Sequence, residues 1–193
     1  MNQTENTKQK LYYFNCMDTD SVYTFAAHLQ NLVHEHVLPE QTIVILCIGS
    51  DRATGDCLGP IIGYKITNSG QKSIPVYGTL SSPVHAKNLD ETIQHIYKNH
   101  QNPFIIAIDA SLGKERHIGY VTLGSGSLSP GIGVDKELPT IGDVFITGIV
   151  NVSGLLNHML LQTTRLDVVM HLADYICVGL QYLVHTKSLK KQL

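Results

Sequence analysis

The order of apolar runs along this 193-residue chain predicts an α/β fold, a three-layer α/β/α sandwich around a mostly parallel five-stranded sheet. Three observations lead there. Residues 42–48 and 104–108 are uninterrupted apolar runs rich in β-branched side chains, which suits strands covered on both faces. Segments of helical spacing lie between the strands, and strand–helix–strand alternation favours parallel pairing with right-handed crossovers. The composition, 43% hydrophobic and 16% charged with 14 Lys+Arg against 16 Asp+Glu, permits a real core and gives no basic excess for a polyanion. At this length a fold buries about 70% of the surface its unfolded chain exposes.

The elements follow in order. Residues 1–18 read as a polar tail and 19–193 as one domain, with no repeat or low-complexity block between. Asp20 or Ser21 opens a helix with Val22, Phe25, Ala26, Leu29, Leu32 and Val33 on one face, ended by Pro39. After the strand at 42–48, a glycine-bearing loop at 49–55 leads into a helix reaching about Thr67, whose first turn tolerates Pro60. A short strand at 74–77, an amphipathic helix at 88–99 and the strand at 104–108 continue the alternation. Residues 117–123 suit a further strand, at an edge, and 143–150 a fifth. A short helix from about Ser153 and a long one over 165–184 follow, the latter opened by Thr164 and Asp167 in capping-box fashion. The charge-free stretch 144–164 contains Asn151, Ser153, Asn157, His158 and Gln162, too polar for a membrane span.

Cys16, Cys47, Cys57 and Cys177 are scattered without a C-x-x-C pair, and three of them sit in apolar surroundings, as buried thiols of a reducing compartment do. The first ten residues lack the apolar core of a signal peptide, so a cytoplasmic protein without a membrane or nucleic-acid partner is expected.

In open α/β sheets, ligands gather beyond the carboxyl ends of the strands. That rule selects Ser50, Asp51, Arg52, Thr54 and Asp56 after the first parallel strand, then Thr79, Ser81, Ser82 and His85, then Asp109 and Ser111. Asp56 and Asp109 stand at the ends of strands expected to be neighbours. Two facing carboxylates can divide acid and base duties in splitting water against an amide, or can ligate a divalent metal. Equally, Asp56 can cap the helix that follows it and Asp109 can accept a backbone amide. The Gly49 to Gly55 spacing imitates a phosphate loop but places Asp56 and Cys57 where Lys and Ser/Thr belong. Among the ten histidines, His85 and His158 lie beside the expected site, whereas His34, His36, His95, His100, His171 and His185 suit helix surfaces or ends. Cys57, beside an anion, is a poor nucleophile. The glycines between 124 and 133 suit a surface loop, and Lys187, Lys190 and Lys191 a solvated helix end.

Residues 47–60, with their T-x-D-x-L-G-P ending, resemble the first motif of the germination (spore) protease family. The run 105–110, ending in Asp109 and Ala110, resembles its second, and residues 130–138 with the strand reaching Val150 resemble a third segment. The whole chain is similar to the short YyaC-type sporulation proteins. These resemblances imply a phosphorylase/hydrolase-like sandwich, residence in the forespore or mother cell of a spore-forming bacterium, and a peptidase acting on a protein or peptide. Asp56 and Asp109 would be the catalytic pair and no resident cofactor would be needed; Thr54, Gly55, Ser111 and His85 would bind substrate. Hydrogenase maturation proteases share the first motif and carry acidic residues at both places, with a histidine, to bind nickel of their substrate; here Glu137 stands in the region where that histidine is sought. The chain is much shorter than the spore protease and shows no pro-segment. A non-catalytic peptide-binding module and a metal-dependent or metal-sensing protease are the alternatives.

Overall fold

A computed structural model describes residues 10–130 and 139–190. Its sheet has six strands, β1 (Leu11–Asn15), β2 (Ile43–Cys47), β3 (Val76–Tyr77), β4 (Phe104–Gly113), β5 (Tyr120–Ser125) and β6 (Val144–Val152), in the order β1-β5-β6-β4-β2-β3. β3, β2, β4 and β6 run parallel, while β5 is antiparallel to β6 and β1 to β5. The helices are α1 (Ser21–His36), α2 (Leu58–Asn68), α3 (Leu89–Asn99), α4 (Asn157–Gln162) and α5 (Leu166–Lys190). The α/β class with helices on both faces is as expected.

Alternation along the central strands sorts the core into two layers. Ile43, Ile45 and Cys47 of β2, with Ile106 and Ile108 of β4, pack with Phe25 and Leu29 of α1, Leu58 and Ile62 of α2 and Leu172 and Ile176 of α5. Val44 and Leu46, with Ile105 and Ala107, pack on the other side against Leu89 and Ile96 of α3. Strands apolar on both faces thus separate two helix layers.

Two expectations need correction. The sheet has six strands, not five, because the supposed tail contains β1. Its residues alternate between solvent and core, with Leu11 and Tyr13 exposed and Phe14 buried against Phe25 (centroids 5.4 Å apart). Such a short half-buried edge strand lacks the continuous apolar signal of β2 or β4. Second, no capping box opens α5: the Thr164 hydroxyl donates instead to the Leu160 carbonyl (2.8 Å), because α4 ends only a few residues earlier. The glycine segment 131–138, with Glu137, and residue 191 lie outside the described residues.

The stretch 144–164 forms β6 and α4. Among the described residues, the segment long and apolar enough to cross a membrane, by length and composition alone, is Leu166–Thr186 in α5. Leu172, Ala173, Ile176 and Leu180 of that segment are fully buried in the first core layer, which accounts for its hydropathy.

α2 reaches the ends of the strands through two glycines one turn apart. A Cβ on Gly59 would lie 2.1 Å from the Ile48 carbonyl oxygen, and one on Gly63 would lie 2.0 Å from that of Gly78. Both obstacles are backbone, so neither can swing aside. Replacing a helical glycine with alanine ordinarily stabilises by about 1 kcal/mol. Here Gly63→Ala is expected to reverse that sign and cost about 1–3 kcal/mol, the overpacking range, read as a lowered urea midpoint with an unchanged slope.

Candidate functional site

The site forms where the chain leaves β2 and β4. After Cys47, Ile48 bridges Val84 in parallel and the Gly49 amide donates to the Val84 carbonyl (2.7 Å). Gly49 has φ +139°, and a Cβ there would lie 2.1 Å from the Asp56 carbonyl oxygen, so only glycine permits this turn. The loop closes when the Ser50 amide donates to that same carbonyl (3.1 Å), which brings the 3-10 turn Gly55–Cys57 back over the strand end. Asp56 makes no capping bond to α2.

Asp109 sits within β4, not after it, because the strand continues to Gly113 with a bulge between Ser111 and Leu112. Opposite Thr147 in the register, it is only 7% exposed, and its Oδ1 accepts the Ala110 amide (2.8 Å). Ser111 donates to the Thr147 hydroxyl (3.2 Å), and Thr147 in turn meets the Thr122 hydroxyl at 2.6 Å. This chain of hydroxyls ties the floor of the site to β6 and β5.

Asp56, Asp109, Ser111, His85 and His158 all line one cleft of about 270 Å³, with Ile48, Leu112 and Leu161 as apolar wall. Arg52 and Lys87 also line it, and neither makes an ion pair among the described residues. His85 is carried by a loop that Asn88 fastens, accepting the His85 amide (2.8 Å) and donating to the Pro83 carbonyl (3.1 Å). Its Nδ1 is buried without a hydrogen-bond partner.

Thr54 and Gly55, expected to bind substrate, are not among the residues lining the cleft. The 3-10 turn directs them elsewhere: the Thr54 carbonyl accepts the Cys57 thiol (2.8 Å), and a Cβ on Gly55 would lie 2.7 Å from the Thr164 hydroxyl. Conversely, Lys87 and Gln162 line the cleft without having been singled out by sequence. Gln162 stands four residues after His158, the helical spacing that places both on one side of α4.

Burial raises the Asp56 carboxyl above its ordinary value of 3.8, opposed by the Ser50 amide and by the charge of His85. Burial likewise raises the Cys57 thiol, with Asp56 and Asp51 adding to the effect, which disqualifies it as a ready nucleophile. Cys47, Cys57 and Cys177 are buried free thiols, and Cys16 is half-buried. Among the described residues no three His, Cys, Asp or Glu side chains converge to hold a metal ion. What this cleft can do chemically is present two carboxylic acids, one of them reluctant to ionise, to a molecule entering between cationic rims.

Residues 13–179 match the family model described as "Protein of unknown function (DUF1256)". The chain is 48% identical over 151 residues to "Uncharacterized protein YyaC" of Bacillus subtilis (strain 168), covering 78% of this chain and 74% of that protein. The crystal structure of the [NiFe] hydrogenase maturation protease HycI from Thermococcus kodakarensis KOD1 covers 80% of this chain and 99% of its own, with TM-score 0.44 and 14% identity. That likeness is too loose to inform the site.

A buried acid that resists ionisation weakens the fold as the pH rises. Below 3.8 Asp56 is protonated whether the chain is folded or not, so the penalty is absent. Above that value the unfolded chain ionises first, and the penalty is complete once the pH passes the raised folded value. Asp56→Asn is therefore expected to raise the urea midpoint at pH 7, with the gain shrinking to nothing below about pH 4.

Proposed function

This chain belongs to the DUF1256 family, and we propose, on the chemistry of its cleft, that it is a peptidase in which Asp56 and Asp109 activate water against an amide. The observation that carries this is that both carboxyls line one cleft, where burial raises the Asp56 carboxyl above its ordinary value. Asp109, whose Oδ1 already serves as an acceptor, takes a proton from water as the water oxygen attacks the peptide carbonyl. Asp56 gives its proton to the amide nitrogen as the C–N bond breaks, which leaves a carboxylate and an amine. His85 faces Asp56 and offsets the charge that remains on it, as its lowering effect on that carboxyl indicates. Arg52 and Lys87 hold the entering chain at the rim, and Ser111 secures the floor.

The motif resemblance to the spore protease family supports a substrate drawn from a sporulating cell.

The test is mass spectrometry of protein extracts from sporulating cells incubated with wild type, Asp56→Asn and Asp109→Asn. Each variant is expected to lose at least about 100-fold in cleavage rate, the lower end of general acid–base catalysis, with far-ultraviolet circular dichroism unchanged. Equal cleavage by all three proteins would reject the pair. Peptides bound but left intact by wild type and variants alike would make the cleft a binding module.

A further inference from the structure

The sheet has a second open feature, at its β3 edge. Ile45 of β2 pairs with Val76, and its amide donates to the Pro75 carbonyl (2.9 Å), so Pro75 and Tyr77 turn their backbone groups toward β2. The N–H and C=O of Val76 therefore point away from the sheet, and neither has a loop or turn partner among the described residues. Beside this edge lies a cleft of about 500 Å³. One wall is β3 and the chain that follows it; the other is Asn88, which precedes α3, with Glu91, Thr92 and His95 of α3, spaced to share one helix face.

A slot with a strand edge on one side and a polar helix stripe on the other accommodates extended backbone, which can pair with Val76 while alternate side chains meet α3. Its charge selects among occupants. Glu91 is exposed and makes no ion pair among the described residues, whereas the His95 ring already packs edge-on against Tyr77 (5.9 Å, 71°). The slot also adjoins the acidic cleft. Pro83 and Val84 line the slot, while the next residues, His85 and Lys87, line the cleft with the two aspartates.

We infer that the β3 edge and α3 form a second binding site, for an extended peptide segment carrying a lysine or arginine opposite Glu91, one loop away from the acidic cleft. The site holds the polypeptide by its backbone and does not depend on whether the aspartates cleave it.

A fluorescein-labelled octapeptide of alternating valine and lysine serves as the probe, read by fluorescence anisotropy. Its companions are the same peptide N-methylated at alternate residues, which removes half its donors, and a version with glutamate for lysine. Wild type is expected to bind the lysine peptide at least tenfold more tightly than either companion. Thr92→Trp, which fills the slot, and Glu91→Lys are each expected to weaken binding at least tenfold, while Asp56→Asn with Asp109→Asn leaves it unchanged. No binding, or binding that survives both N-methylation and Thr92→Trp, would overturn the site. Binding abolished by the aspartate substitutions would place the peptide in the acidic cleft instead. A dimer in analytical ultracentrifugation that Thr92→Trp dissociates would give the edge to a second copy of the chain and likewise overturn the inference.

Discussion

The parallel register of β2 against β4 is the constraint on which the rest depends. Cys47 pairs with Ile108, so Asp109 comes next on β4 at the level where the chain leaves β2 for the Asp56 turn. Strand periodicity makes this register sensitive: a slip of one residue would carry Asp109 to the opposite face of the sheet and exchange the side chains of the two core layers. The two core layers hold the register, since Ile106 and Ile108 belong to one and Ile105 and Ala107 to the other. Gly49 and Gly59 then let the loop and α2 close over the strand end at distances no side chain would tolerate. Stability of the sheet and placement of the acids are thus one problem, met by the same residues.

The cleft itself works against the fold. Asp56 is half-buried and its carboxyl is raised above its ordinary value, while the His85 Nδ1 is buried unsatisfied. Groups of this kind cost stability and are retained where a bound molecule gives them something to do. The floor of the site is tied to β6 and β5 by the hydroxyl contacts of Ser111, Thr147 and Thr122.

Much of this was legible in the sequence because burial on both faces leaves a plain signal. The runs 42–48 and 104–108 announce β2 and β4, and their flanking loops direct attention to Asp56, Asp109 and His85, which share the cleft. Signals failed where tertiary pairing, not composition, makes the structure. β1 is a half-exposed edge strand held by β5; β4 runs on through Ser111 because β6 pairs with it there; and residues 115–117 form a 3-10 turn where a strand start was expected. Thr54 and Gly55 stand outside the cleft lining, in a 3-10 turn where Gly55 lies against Thr164 and Leu161, more than a hundred residues away in the chain. Lys87 enters the cleft only because Asn88 fastens its loop.

Asp56 and Asp109 line one cleft, in which burial raises the Asp56 carboxyl above its ordinary value. Titration of the Asp56 carboxyl carbon by NMR, in wild type and in Asp109→Asn, tests this most directly. The account predicts a midpoint above 3.8 in both proteins, because burial in the cleft is what raises it. An Asp56 that titrates at its ordinary value in both proteins would contradict it.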